Sequence, residues 1–585
     1  MFASFLGTIL TIIVIFLLFA GIIASIVSMS GDEEVRVKDH SILHIAWKTE
    51  IKDRSTDNPF EGFDFAAMES NKPLGLYSIL NNIEKAAKDS RIDGIFLDME
   101  TIPAGMATSE EIRNSLLEFK ESGKFIISYA NGYDQNAYYM ASLSDEIYLN
   151  TEGMILFKGL HAQLMFFKGL LDKLDIDIQI VRGPNNKYKS AVEPLIRDHI
   201  SEASREQMEE LLNSVWGKTI TYISQSRGIS IDELNKVADK LELTTAEKAL
   251  ELNFIDGAVY RDEVVEILKE KTGKKEDEKL NIISFGSYKN AKLTDKKGLK
   301  RNQIAIVFAE GNIVQGKGGD GNIGSATLSR AISKARKDDK VKAIVLRVNS
   351  PGGDALASEV IRREVELAGN DKPIIVSMGN LAASGGYWIS TSADYIFAQP
   401  TTITGSIGVF GIIPNFQKLI NNKLGINTDD IMTNENSDFI DVMKPLSPYQ
   451  HAILNESVTR IYNDFTQLVA STRNLDITYV DSIARGRVWS GIDAKKIGLI
   501  DDFGGMKDAI AYAAEKADLG DNYRITKYPQ RKEFIEQLVE ELTGQASQSI
   551  VKSELGDYYV YYQKMQSLKN MKGVQARLPF FMEIN

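Results

Sequence analysis

Cysteine is absent from the 585 residues. That excludes disulfides, thiolate nucleophiles and thiolate metal ligands, while leaving the redox compartment open. Histidine is scarce. His40, His44, His161, His199 and His451 are the five in the chain, and none stands at a recognisable metal-ligand or triad spacing. A Ser–His pair is therefore a poor candidate for catalysis. Positive charge is also short: 68 Lys and Arg stand against 80 Asp and Glu, a net charge of -12 with no basic stripe. This composition argues against a nucleic-acid partner. No Walker lysine follows any of the glycine-rich turns, which argues against nucleotide binding. Neither a metal nor another cofactor is implied.

The chain is too long for one core, so several domains are expected. Phe5 to Val27 is an uncharged apolar run of 23 residues. At about 1.5 Å per residue it can span a hydrocarbon layer of roughly 30 Å. It is longer than the apolar part of a secretory signal and lacks a basic leader. Residues 1–30 are therefore expected to be an uncleaved N-terminal anchor. Lys and Arg are missing before the span and Gly31-Asp32-Glu33-Glu34 follows it, so charge bias says little about orientation. With so short an N-terminal tail, the bulk of the chain is expected outside the cytoplasm.

The remainder contains an internal repeat. Asp93-Gly94-Ile95-Phe96-Leu97-Asp98 matches Lys342-Ala343-Ile344-Val345-Leu346-Arg347, Tyr138-Tyr139 matches Tyr387-Trp388, and Asp145-Glu146-Ile147-Tyr148 matches Asp394-Tyr395-Ile396-Phe397. These three pairs share an offset of 249 residues. Lys124 to Tyr129 matches Lys372 to Ser377 within one residue of it. Each copy alternates short Val/Ile-rich runs with amphipathic segments, the pattern of parallel strands joined by crossover helices in an α/β fold. The expected divisions are a first repeat over 31–270, a charged Lys- and Gly-rich linker over 271–302, a second repeat over 303–553 and a tail over 554–585. Tyr558 to Tyr562 in that tail reads as a packing strap or an oligomer contact, with packing favoured.

Two stretches of the second repeat carry chemistry. Asn380-Leu381-Ala382-Ala383-Ser384-Gly385-Gly386-Tyr387-Trp388 joins a buried-strand pattern, Pro373 to Met378, to a helical segment over Tyr387 to Ala393. A serine at such a turn presents its hydroxyl at the end of the strand, and the glycines after it leave amides free. Ser384 is the candidate nucleophile. Asn349-Ser350-Pro351-Gly352-Gly353-Asp354 also sits between a strand and a helix, and its glycine amides suit an oxyanion. At the matching positions the first repeat has Glu100 to Gly105 and Gln135. It supplies neither the anion loop nor the nucleophile. With histidine disfavoured, the base left is the neutral amine of a buried lysine, since burial lowers a free pKa of about 10.4. Spacing alone selects no particular lysine.

Four motifs together resemble one family. Tyr188-Lys189-Ser190-Ala191-Val192-Glu193-Pro194, Asn349 to Gly353, Ala383 to Trp388 and Thr404-Gly405-Ser406-Ile407-Gly408 are similar, in that order, to those of the long-form signal peptide peptidase A family, also called protease IV. The resemblance covers nearly the whole chain. It implies two tandem crotonase/Clp-protease-like repeats and a serine endopeptidase. It implies Ser384 as nucleophile, Lys189 as general base, Ser406 as the group orienting the lysine, and the amides of Gly353 and Gly385 as the oxyanion hole. Around the position matching Lys189 the second repeat has Asp438 and Phe439, so each copy has kept one half of the pair. The resemblance further implies a homotetramer anchored through residues 5–27 in a bacterial inner membrane, with its catalytic part on the periplasmic side. Substrates would be unstructured peptides such as cleaved signal peptides. A non-peptidase crotonase relative handling acyl-CoA, or a membrane scaffold, is the alternative.

Overall fold

The structure is a computed structural model. It describes residues 7, 10–11, 14, 35–55, 63–64, 69–70, 73–183, 185–293, 300–319, 321–530 and 574–578. Most of the expected anchor and the Tyr558–Tyr562 strap lie outside the described residues. Among the described residues no helix is long and apolar enough to cross a membrane.

The repeat is visible as paired elements. Helix Leu76–Lys88 and helix Ser325–Lys337 are both 13 residues long. Met106–Lys120 and Ala355–Gly369 are both 15 residues long, and Glu202–Arg227 and Pro448–Arg473 are both 26. The two long helices even start alike. The Ser201 and Ser447 hydroxyls accept from the amides of Ser204 and Gln450, satisfying donors that a helix start leaves orphaned.

The chain divides into two compact units that do not follow the repeat boundary. The first comprises Met1–Ala104, Ile112–Leu156 and Leu243–Lys296; the second comprises Gly105–Glu111, Phe157–Glu242 and Lys297–Asn585. The segment bearing Lys189 thus belongs to the unit that bears Ser384.

The first unit is built on a parallel sheet in the order Gly257–Ala258, Glu146–Leu149, Phe125–Ala130, Ile92–Asp98, Ser41–Ile45, Asn281–Ser284. The last of these strands lies within the stretch read as a linker, which therefore carries structure of its own. Ile42, Phe96, Ile127 and Tyr129 pack against Val264 and Leu268 of the helix Arg261–Lys271.

Among the described residues the second unit has two sheets. The larger has eight strands: six run Val488–Ser490, Ile403–Gly405, Ile374–Ala383, Val341–Ser350, Asn302–Glu310, Tyr523–Tyr528, and Tyr395–Ala398 pairs with both Ile374–Ala383 and Asp502–Phe503. Its pairs are parallel except the first. Strands Asn302–Glu310 and Val341–Ser350 are almost wholly buried, as continuous apolar runs covered on both faces should be. The smaller sheet runs Asn322–Gly324, Asn312–Val314, Gly352–Asp354, Val574–Arg577, Phe410–Asn415, Asp177–Arg182. Within strand Val341–Ser350, buried Arg347 meets buried Glu111 at 2.7 Å and donates to the Ser377 hydroxyl at 2.8 Å. The matching residue of the first repeat, Asp98, instead holds His44 at 2.8 Å.

Candidate active site

Ser384 follows directly on strand Ile374–Ala383 and precedes helix Gly385–Ser390. Its backbone has φ 55 and ψ -113. A side chain in this left-handed region costs about 1–2 kcal/mol, so neighbours must hold it there. They do so from both sides: the Ser384 amide donates to the Gly405 carbonyl and the Trp388 amide to the Ser384 carbonyl, each at 2.8 Å. The short helix is pinned in turn. The Tyr387 hydroxyl donates to the Leu499 carbonyl at 2.8 Å, the Trp388 ring N–H donates to Glu359 at 2.9 Å, and the Trp388 ring stacks on Phe465 at 4.3 Å.

Lys189 lies just before the turn Ser190–Val192 and the Pro-containing helix Glu193–Ile196. Its neighbourhood is clamped. The Tyr188 amide donates to the Arg485 carbonyl at 3.0 Å, and Gln207 from the long helix donates to the Tyr188 carbonyl at 3.0 Å. Gly486 makes room for the lysine. With φ +81, it would place a Cβ 2.5 Å from Lys189 Cβ and 2.7 Å from its Cα. Gly408 lies along the side chain, with an added Cβ 3.4 Å from Lys189 Cδ.

The amine ends between two serines. Nζ is 2.9 Å from Ser384 Oγ and 2.8 Å from Ser406 Oγ, and it donates to the Ser406 carbonyl at 3.0 Å. Lys189 is 1% exposed, and Ser384 and Ser406 are fully buried. Burial, offset by no carboxylate among the described residues, holds the Lys189 amine well below the ordinary lysine range. A neutral amine at this distance can accept the serine proton. Ser406 is itself held at φ 52, its amide donating to the Arg487 carbonyl at 2.6 Å.

The candidate oxyanion loop lies alongside. A Cβ added to Gly352, which has φ +92, would fall 2.6 Å from the Gly385 amide nitrogen. One added to Gly385 would fall 2.6 Å from the Ser358 hydroxyl oxygen and 3.1 Å from Gly352 Cα. Glycine at both positions therefore brings the Gly352-Gly353 loop against the start of the serine helix. The five residues expected at the site, Lys189, Gly353, Ser384, Gly385 and Ser406, all fall within one unit.

The histidines are elsewhere in character: four are exposed, and half-buried His44 is bound to Asp98. Among the described residues no group of His, Asp and Glu could hold a metal ion. Sequence reasoning missed Gly486 and Gln207. Nothing marks them in the sequence, because Gly486 reads as an ordinary turn glycine and Gln207 as one polar residue of an amphipathic helix.

An α/β unit with a buried serine at a strand-to-helix turn is of the serine-hydrolase class. Comparison with known proteins narrows this. The model of Peptidase family S49 matches residues 118–275 and 366–520. Protease 4 from Salmonella typhi is 38% identical over 479 residues, covering 80% of this chain and 76% of the relative. Protease 4 from Haemophilus influenzae is 37% identical, covering 76% and 73%. Serine protease SPPA, chloroplastic, from Arabidopsis thaliana is 33% identical, covering 84% and 71%. The chain belongs to Peptidase family S49, and it is a serine endopeptidase.

Proposed function

We propose that the chain is a membrane-anchored signal peptide peptidase working by a Ser–Lys dyad. Ser384 attacks the peptide carbonyl carbon while neutral Lys189 takes the hydroxyl proton. The resulting ammonium then protonates the leaving amine. Water hydrolyses the acyl-enzyme by the same proton route in reverse. Ser406 keeps the lysine amine aimed at Ser384. The amides of Gly353 and Gly385 receive the oxyanion, each such donor contributing about 3 kcal/mol to the transition state. The observation that carries this reading is the buried amine 2.9 Å from Ser384 Oγ, with no carboxylate among the described residues near enough to keep it charged.

Residues 5–27 are proposed as the anchor in a bacterial inner membrane, with the catalytic part on the periplasmic side. Substrates are proposed to be unstructured peptides, cleaved signal peptides among them, and the assembly a homotetramer. The apolar run Phe5 to Val27 supports the anchor, and the substrates, the orientation and the tetramer rest on the resemblance of the four motifs. Labelling by a fluorophosphonate probe tests the nucleophile: the wild-type chain should label and Ser384→Ala should not. Undiminished labelling in Ser384→Ala would place the nucleophile elsewhere.

A further inference from the structure

Lys189 and Ser406 are 217 residues apart in sequence, and their supports meet in the stretch from Arg485 to Val488. The Arg485 carbonyl accepts from the Tyr188 amide at 3.0 Å, the Gly486 amide donates to the Ile407 carbonyl at 2.8 Å, and the Arg487 carbonyl accepts from the Ser406 amide at 2.6 Å. The Val488 amide donates to the Gln207 side chain at 3.3 Å, and Gln207 donates in turn to the Tyr188 carbonyl at 3.0 Å. The backbone of this stretch is thus bonded to the segment carrying the base and to the one carrying the serine that orients it.

The Arg487 side chain makes the same link a second time. Its guanidinium carbon lies 4.7 Å from the centre of the Tyr188 ring and 4.6 Å from the centre of the Trp489 ring. Tyr188 is the residue before Lys189. Trp489 stands opposite Thr404 where Val488–Ser490 pairs with Ile403–Gly405, and a Cβ added to Gly405, the residue before Ser406, would fall 2.7 Å from its ring. The indole is fixed in turn, its N–H donating to the Ile483 carbonyl at 3.0 Å. The guanidinium edge donates to Glu206 at 3.3 Å and to Glu210, both on the long helix Glu202–Arg227. Those carboxylates are 44% and 57% exposed, against 13% for Arg487, so water and salt screen the ion pairs. The ring contacts are the better protected part, and ring faces attract a cation more strongly where water is excluded. A planar guanidinium can lie on ring faces and donate from its edge at once, which a lysine ammonium cannot.

We propose that Arg487 is a positioning residue for the dyad: its guanidinium, held against the Tyr188 and Trp489 rings, fixes the segment carrying Lys189 relative to the strand that leads into Ser406. This rests on the Lys189 reading given above. Arg487 acts through these two rings and not on the reacting atoms. Releasing it lets the amine drift from Ser384 while the nucleophile and the oxyanion amides stay in place. The loss therefore falls on turnover and on the rate of Ser384 acylation, not on peptide binding.

The test measures kcat and KM on a fluorogenic peptide, and the rate of fluorophosphonate labelling, in the full chain and in Arg487→Met, which keeps much of the side-chain bulk and removes the planar cation. Both kcat and the labelling rate should fall at least about tenfold, as misplacing a base does, with KM within about twofold of the wild type. Tyr188→Ala should reproduce the loss. Tyr188→Phe, which keeps the ring and gives up only the hydroxyl's bond to Glu206 at 3.0 Å, should retain most of the turnover. Arg487→Met combined with Tyr188→Ala should be no worse than either alone, because the two form one contact. Should Arg487→Met fail to fold, Arg487→Lys serves instead, since it keeps the charge and loses the flat stack, and kcat should fall in the same way. Wild-type kcat in a folded Arg487 variant, a loss carried by KM, equal losses in Tyr188→Phe and Tyr188→Ala, or additive losses in the double variant would overturn the proposal. Lys189→Met separates the two readings. An inactive Lys189→Met beside a fully active Arg487→Met removes the positioning role alone, whereas an active Lys189→Met removes the base on which that role depends.

Discussion

Gly486→Ala should disable the enzyme without replacing a catalytic residue. At φ +81 the added methyl group would lie 2.5 Å from Lys189 Cβ, 2.7 Å from its Cα and 2.7 Å from its backbone nitrogen. None of these is the end of a flexible side chain, so the lysine backbone itself must move. The left-handed conformation alone costs a non-glycine residue about 1–2 kcal/mol. Gly498 is a matched control, because it has the same φ of +81 but its added Cβ would lie 3.5 Å from Leu475, an ordinary contact. Both variants should lose stability by that backbone cost, with Gly486→Ala losing more. Only Gly486→Ala should lose turnover, by on the order of a hundredfold, because displacing a base by about 1 Å costs that much. The assay is kcat on a peptide substrate beside thermal unfolding of both variants. Full turnover in a folded Gly486→Ala chain would refute the idea that this glycine sets the position of Lys189.

Ser406→Ala removes the hydroxyl 2.8 Å from Nζ but keeps the carbonyl at 3.0 Å. Turnover should fall about tenfold, the worth of one hydrogen bond of about 1–1.5 kcal/mol, and a loss as complete as in Ser384→Ala would mean that Ser406 does more than orient the amine. Lys189→Met should change how stability depends on pH. The folded-state pKa of Lys189 is depressed, so the unfolded chain binds the extra proton and the penalty is present below the unfolded value of about 10.4. The wild type should therefore gain stability relative to Lys189→Met as pH rises from the folded pKa to about 10.4, and a melting-temperature difference constant across that window would contradict the depressed pKa. Deleting residues 1–30 should release an active chain into the soluble fraction, and retention on membranes after a high-salt wash would show a second membrane-binding surface.

The α/β class and the duplication were legible because the offset of 249 residues survives in helices of equal length, such as Ala355–Gly369 and Met106–Lys120. The turn at Ser384 was legible because glycines punctuate the end of an apolar run, although strand Ile374–Ala383 extends beyond the apolar run Pro373 to Met378 up to the serine itself. The lysine was not legible from pattern. It packs against Gly408 and Gly486, which are distant in sequence and meet it only in the fold. The division into units was hidden for the same reason. Phe157–Glu242 belongs to the first repeat by similarity but packs as part of the second unit, and periodicity reports which face of an element is buried, not what buries it. The strand Val574–Arg577 is four residues long, too short to signal a partner.

The dyad is tested most directly by the pH dependence of Ser384 acylation, read as the rate of fluorophosphonate labelling in the wild type and in Lys189→Met. The wild-type rate should rise with pH through a single ionisation, because only the neutral amine accepts the serine proton, and burial should place that ionisation below about 10.4. Lys189→Met should label far more slowly and without that ionisation. An unchanged profile in folded Lys189→Met, or loss of the ionisation on replacing any of the five histidines, would contradict a lysine base.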